Sequence, residues 1–171
     1  PKKELIRPIE ILRSLRNLVY PELNELEDSI FRKESSKNYS YTYGARIFNY
    51  ANKKNQVQEY IIPLLKKEPE TKQAIIVLYQ PLFDSNLTDN AKPCLICIFF
   101  RIIKGKLNLT ATIRSNEMLL GWPANIYQLS LLQKRIANEI GVEEGTITTI
   151  SHSAHIYTNY DEELEEVLRK I

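Results

Sequence analysis

Between Pro93 and Gly141 the chain has little freedom to be anything but strand, turn, strand and helix in succession. Pro93 to Ile103 is rich in apolar and β-branched residues, and Leu107 to Ile113 alternates apolar with polar ones. Lys104-Gly105-Lys106 between them supplies a glycine where a hairpin needs a backbone that side chains resist. Past Gly121 a helix is predicted from near Pro123 to Glu139, with Ile126, Leu129, Leu132, Ile136 and Ile140 on one face. Gly141 would stop it. Thr146 to Ser151 reads as a strand that delivers His155.

The flanking chain is read the same way. Leu5, Ile9, Leu12, Leu15 and Val19 predict an amphipathic helix over 4–20, with Arg7, Arg13 and Arg16 interleaved and Pro8 in its first turn. Pro21 ends it, and Leu23, Leu26 and Ile30 suggest a second short helix. Ser35 to Asn38 is a loop, and Tyr39, Tyr41 and Tyr43 alternate as on one face of a strand or at an interface. Asn55 to Leu65 reads as a helix interrupted near Pro63, and Ala74 to Tyr79 as a strand buried on both sides. Pro81 to Lys92 is a polar connection containing the turn formers Asp84-Ser85-Asn86. Asp161 to Lys170 is a last short helix, capped by Asp161.

Composition narrows the function classes. A length of 171 residues suits one domain, 1–171, with a proper core. The formal net charge of +2 argues against nucleic acid as partner while allowing one small anion. Two cysteines, no secretory segment and no apolar run long enough to span a bilayer point to a reduced, cytoplasmic protein without a membrane partner. The chain opens on Pro1 rather than methionine, so it is expected to be a piece trimmed at one or both ends. No metal-ligand cluster, repeat or Gly-rich phosphate loop is visible. Cys94 and Cys97 have a metal-like interval, but strict strand alternation would point them to opposite faces.

Four motifs follow one another: Pro93-Cys94-Leu95, Arg114-Ser115-Asn116-Glu117, Gly121-Trp122-Pro123-Ala124-Asn125-Ile126, and His155-Ile156-Tyr157-Thr158-Asn159. Their order and spacing resemble thymidylate synthase and the pyrimidine nucleotide hydroxymethylases, whose motifs are Pro-Cys-His, Arg-Ser-x-Asp, Gly-Leu-Pro-Phe-Asn-Ile and His-x-Tyr-x-Asn. The resemblance implies an α+β fold, a mixed sheet covered by helices, and a homodimer formed through that sheet. It implies transfer of a one-carbon unit from a methylene-carrying reduced pterin, such as methylene-tetrahydrofolate, to C5 of a pyrimidine deoxynucleotide. Deoxyuridylate is favoured over deoxycytidylate, because the cytidylate hydroxymethylases tend to carry Asp where Asn125 stands.

Roles carry over residue by residue. Cys94 would add as thiolate to the ring's C6 carbon, making C5 a nucleophile; a free thiol with a pKa near ~8.5 needs adjacent positive charge to do so. Arg114 is the expected source, and with Ser115 it would hold the phosphate. Asn125 would read the base, and His155 with Tyr157 the 3′-hydroxyl. Glu10 and Tyr43 would assist chemistry at the ring, Glu117 would bond the pterin, and Lys72 would reach a partner's phosphate where relatives carry paired arginines. Bland readings stand beside these: a small buried cysteine, a helix-capping asparagine, a core histidine, a solvated glutamate. Ile113 where relatives have glutamine, Glu117 for Asp, Gln73 for an arginine, and an end at Ile171 before the expected closing tail keep two alternatives open. These are a hydroxymethylase, and a nucleotide-binding or assembly module without catalysis.

Overall fold

The computed structural model describes residues 30–33, 41–88 and 92–157, together with Glu165 and Arg169. The expected helix over 4–20, Glu10, the 35–38 loop and most of the helices expected over 23–30 and 161–170 lie outside the described residues.

The predicted hairpin is present as β2 (Leu95–Ile103) and β3 (Lys106–Ile113), paired antiparallel from Leu95↔Ile113 to Ile103↔Lys106. Its two turn residues, Lys104 and Gly105, both have positive φ, 52° and 75°, which matches the twist of the flanking strands. A short strand, β1 (Ile75–Val77), pairs antiparallel with β2 on the other side. The fourth strand, β5 (Glu143–Ser151), pairs parallel with β3, giving the order β1-β2-β3-β5 and a mixed sheet. A parallel neighbour needs a crossover, and the 20-residue helix α4 (Gly121–Ile140) supplies it. Two short parallel strands, β4 (Asn116–Glu117) and β6 (Ala154–His155), form a separate ladder beyond the ends of β3 and β5.

Strand alternation decides which side is core. Leu107, Leu109, Ala111 and Ile113 are all buried, and they join a cluster with Leu129, Leu132, Ile136 and Ala137 of α4. Each such large side chain contributes roughly 1.5–3 kcal/mol relative to leaving it in water. Gly141 closes α4 in the left-handed conformation, φ 76°, as expected. From α4, the buried Gln133 donates to Leu107 O at 2.7 Å and Thr146 O at 3.2 Å. Those carbonyls flank a register shift between β3 and β5. At that shift Gly145 lies so close to β3 that an added Cβ would sit 2.9 Å from Leu107 O. The opposite face of the sheet is uncovered by any described element: Val77, Phe99, Ile103 and Ile150 are 38–51% exposed.

Several expectations need correction. The run from Ala74 to Tyr79 is not buried on both sides; Ala74, Ile76 and Leu78 are buried while Val77 faces outward, because the described residues cover only one face of the sheet. The helix over 55–65 is not broken at Pro63. A π-helical turn, Val57–Ile61, passes directly into α2 (Ile62–Lys67), with Pro63 at the second position of α2. The wider turn accommodates the missing proline amide. Asn55 caps it reciprocally, accepting from Gln58 N at 2.9 Å while Glu59 accepts from Asn55 N at 2.8 Å. Tyr43 is not in a strand but opens α1 (Tyr43–Phe48), whose amide at Ala45 donates to Thr42 Oγ1 at 3.0 Å. Pro81–Asp84 is a helical turn, α3, rather than plain connection, and its buried Asp84 pairs with Arg46 at 2.7 Å. Finally, a bulge between Leu95 and Cys97 breaks the alternation, so Leu95 and Ile98 are both buried and the parity argument separating Cys94 from Cys97 fails. Both cysteines are free thiols.

Candidate active site

Cys94 sits at the bend where the chain enters β2, half-buried and packed against the core. Its carbonyl accepts from Arg114 N at 2.8 Å, so the two residues stand across from each other where β2 begins and β3 has just ended. The Arg114 guanidinium folds back along the same segment: Nε donates to Pro93 O at 2.9 Å and Nη2 to Lys92 O at 2.8 Å. Nη1 makes neither bond, and the residue as a whole is exposed. The bulge at the start of β2 lies directly after Cys94, a position where bulges commonly re-aim a side chain.

Two tyrosines complete this corner. Burial pushes the Tyr41 hydroxyl up to about 12, with the charge of Cys94 adding to the effect and Arg114, the Cys94 backbone amide and Arg46 opposing it. Tyr43 is raised further by burial, then by Tyr41 and Cys94, against the Leu95 backbone amide and Arg114. Both hydroxyls therefore stay protonated at neutral pH, near enough to Cys94 and Arg114 to feel their charges. Their rings lie 6.0 Å apart, and Tyr41 donates to Lys92 O at 3.1 Å.

The Arg-Ser-x-Glu segment continues into the β4–β6 ladder. Ser115 occupies the bend after Arg114 and is half-buried. Asn116 N donates to Ser153 O at 2.8 Å and Met118 N to His155 O at 2.9 Å, which sets Glu117 level with His155. The Tyr157 ring meets the His155 ring edge-on at 5.0 Å. Glu117 is committed to backbone: its carboxylate accepts from Leu119 N at 2.8 Å, Leu120 N at 2.7 Å and Gly121 N at 2.8 Å. It thereby caps the start of α4, where a negative charge is favoured. Asn125 lies inside the first turns of α4, half-buried, and the capping role proposed for it as an alternative falls to Glu117 instead.

The topology thus brings Cys94, Arg114, Ser115, Glu117, Asn125, His155 and Tyr157 to one end of the sheet, where β3 and β5 finish and α4 begins. Tyr43 joins them from α1. Lys72 does not: it is exposed in the bend before β1, toward the other end, because β1 runs antiparallel to β2 with Ile75↔Phe99 and Val77↔Cys97. Ile113, where a ligand-contacting glutamine was the comparison, is wholly buried in the core. A cleft of about 230 Å³ borders Tyr41 and is lined by Arg46, Asn49, Tyr50, Gln80 and Phe83; neither Cys94 nor His155 reaches it. Sequence reasoning missed Tyr41, Asn116 and the Arg46–Asp84 pair. Tyr41 was visible only as one of an alternating set.

Among the described residues no group of acidic, histidine or cysteine side chains is arranged to hold a metal, and no helix is long and apolar enough to cross a membrane. Comparison with known proteins bears on the rest. Residues 21–171 match the thymidylate synthase family model. A protein of Methanosarcina barkeri named "Putative thymidylate synthase" is 36% identical over 149 residues, covering 87% of this chain and 67% of that protein. One of the same name in Methanococcoides burtonii is 34% identical over the same shares. The deoxyuridylate hydroxymethyltransferase of Bacillus phage SP01 is 35% identical over 129 residues, 73% of this chain but 32% of that protein. With the family model spanning nearly all of the sequence and these relatives in agreement, the chain belongs to the thymidylate synthase family.

Proposed function

We propose that the protein transfers a one-carbon unit to C5 of deoxyuridylate, with Cys94 as the nucleophile that adds to C6. The observation that carries this is the Cys94–Arg114 pairing at the start of β2, in a family whose chemistry is a transfer. In the addition, the thiolate sulfur forms a bond to C6 and the ring's π electrons move toward C5 and the neighbouring carbonyl. Arg114, through Nη1 and any bonds it exchanges from Lys92 and Pro93, and Ser115 would hold the phosphate; Asn125 would read the base; His155 and Tyr157 would bond the 3′-hydroxyl. C5 would then bond the donor's methylene carbon as that carbon's bonds to the pterin nitrogens break; Tyr43, as a neutral hydroxyl, would orient a water that takes the C5 proton, and the sulfur finally leaves C6.

The one-carbon donor is a reduced pterin substrate carrying a methylene group, methylene-tetrahydrofolate or a methanopterin-type carrier. Glu117 meets it with the acceptor capacity left after its three backbone bonds. A homodimer forms through the uncovered sheet face, and Lys72 reaches the partner's nucleotide from the end of the sheet away from Cys94. The protein works in the cytoplasm, and residues 1–171 belong to one domain.

A hydroxymethylase is the second reading, favoured by the similarity to the phage hydroxymethyltransferase. The two differ in atom balance: a methyl product requires a hydride, which the reduced pterin would supply as it is itself oxidised, whereas a hydroxymethyl product takes its oxygen from water. Incubation of deoxyuridylate with each carrier and mass analysis of the nucleotide separates them. A gain of a methyl group supports the first, a gain of a hydroxymethyl group supports the second. No change with any carrier, alongside intact nucleotide binding, contradicts both.

A further inference from the structure

We propose that Tyr41 is a positioning residue for Cys94: its hydroxyl and the Arg114 side chain together fix the peptide that carries the thiol. The role rests on the reading of Cys94 as nucleophile. Three consecutive carbonyls lead to or belong to that residue, and each is held. Lys92 O accepts from Tyr41 Oη at 3.1 Å and Arg114 Nη2 at 2.8 Å, Pro93 O accepts from Arg114 Nε at 2.9 Å, and Cys94 O accepts from Arg114 N at 2.8 Å.

Lys92 and Pro93 precede β2 and belong to no strand, and Pro93 has no amide to donate. Among the described residues, these carbonyls are held by Arg114 and by the Tyr41 hydroxyl. That matters because Arg114 has two tasks. When a phosphate draws its guanidinium away, the bonds to Lys92 and Pro93 weaken, and the tyrosine remains on Lys92 O at the moment the thiol must attack.

Tyr41 is itself well braced for this. It lies beside the cap of α1, its ring packs on Tyr43, and the Arg46 guanidinium sits over it at 5.9 Å, anchored in turn to Asp84 at 2.7 Å. With its hydroxyl held protonated by burial, it donates throughout the neutral range. An error of about one ångström in a reacting atom's position slows an enzyme far more than it weakens binding.

The test is Tyr41→Phe, which keeps the ring and removes one hydrogen bond. Two readouts are taken on the full chain. The first is the rate of covalent adduct formation with 5-fluoro-deoxyuridylate and methylene-tetrahydrofolate, alongside the affinity for deoxyuridylate. The second is alkylation of Cys94 by iodoacetamide, with Cys97 as internal reference, resolved by peptide mass. Loss of one such bond is expected to slow adduct formation about three- to tenfold with affinity nearly unchanged. The loosened segment should speed Cys94 alkylation relative to Cys97. Unchanged adduct and alkylation rates overturn the proposal, and so does equal acceleration at both cysteines, which signals general loosening of β2. If the parent protein forms no adduct, the nucleophile reading fails by itself, while the ratio of alkylation rates still decides whether Tyr41 positions Cys94.

Discussion

Replacing Glu117 removes a carboxylate that three backbone amides share at 2.7–2.8 Å, and this is where the fold and the candidate site are most tightly joined. Loss of an N-terminal helix cap costs about 0.5–2 kcal/mol. Loss of the negative charge at the positive end of a helix adds about 0.3–1 kcal/mol. Glu117→Ala is therefore expected to destabilise the protein by roughly 1–3 kcal/mol, which for a chain of this size lowers Tm by about 2–12 °C. Glu117→Gln retains one acceptor oxygen without the charge and should fall near half of that. Glu117→Asp is one methylene too short to span all three amides and should lie between the parent and Ala. Urea titration followed by circular dichroism, supported by calorimetry, measures the series. An Ala variant within ~0.5 kcal/mol of the parent would refute the capping argument, since surface changes away from such features commonly cost no more than that.

Other consequences are equally direct. Gly145→Ala would put a methyl 2.9 Å from Leu107 O and 2.8 Å from Asn108 Oδ1, and a lowered urea midpoint worth about 1–3 kcal/mol is expected. Phe99→Lys places a charge on the uncovered sheet face and should yield monomers by light scattering; an unaltered oligomeric state excludes that face as the interface. Tyr41 has its ionisation raised on folding from 10.0 to about 12, so its contribution is full below about pH 10 and is lost as pH rises toward 12. Tyr41→Phe should accordingly show a shallower loss of stability across that window in pH-jump unfolding.

How much of this was legible beforehand differs from element to element. The hairpin at Gly105 and the helix closed by Gly141 were legible because glycine at a positive φ and apolar periodicity are local signals. The helix start moved from Pro123 to Gly121 because its cap is Glu117, a residue outside the periodic stretch. Alternating Tyr41 and Tyr43 resembled a strand, yet the Thr42 cap turned the chain into α1 at the second of them. The bulge after Leu95 leaves no mark in composition, and it cancelled the parity argument about the two cysteines. Motif order brought most candidate residues to one end of the sheet. What each does there depended on side-chain bonds that no spacing reveals: Arg114 clamps backbone carbonyls, and Glu117 caps a helix.

If Cys94 is the nucleophile, its sulfur bonds to the pyrimidine ring. Trapping with 5-fluoro-deoxyuridylate and a reduced-pterin carrier, followed by proteolysis and peptide mass analysis, addresses it directly. One nucleotide adduct is expected on the peptide containing Cys94, absent in Cys94→Ser and retained in Cys97→Ser. An adduct that survives Cys94→Ser, or none on the parent with either carrier, contradicts it.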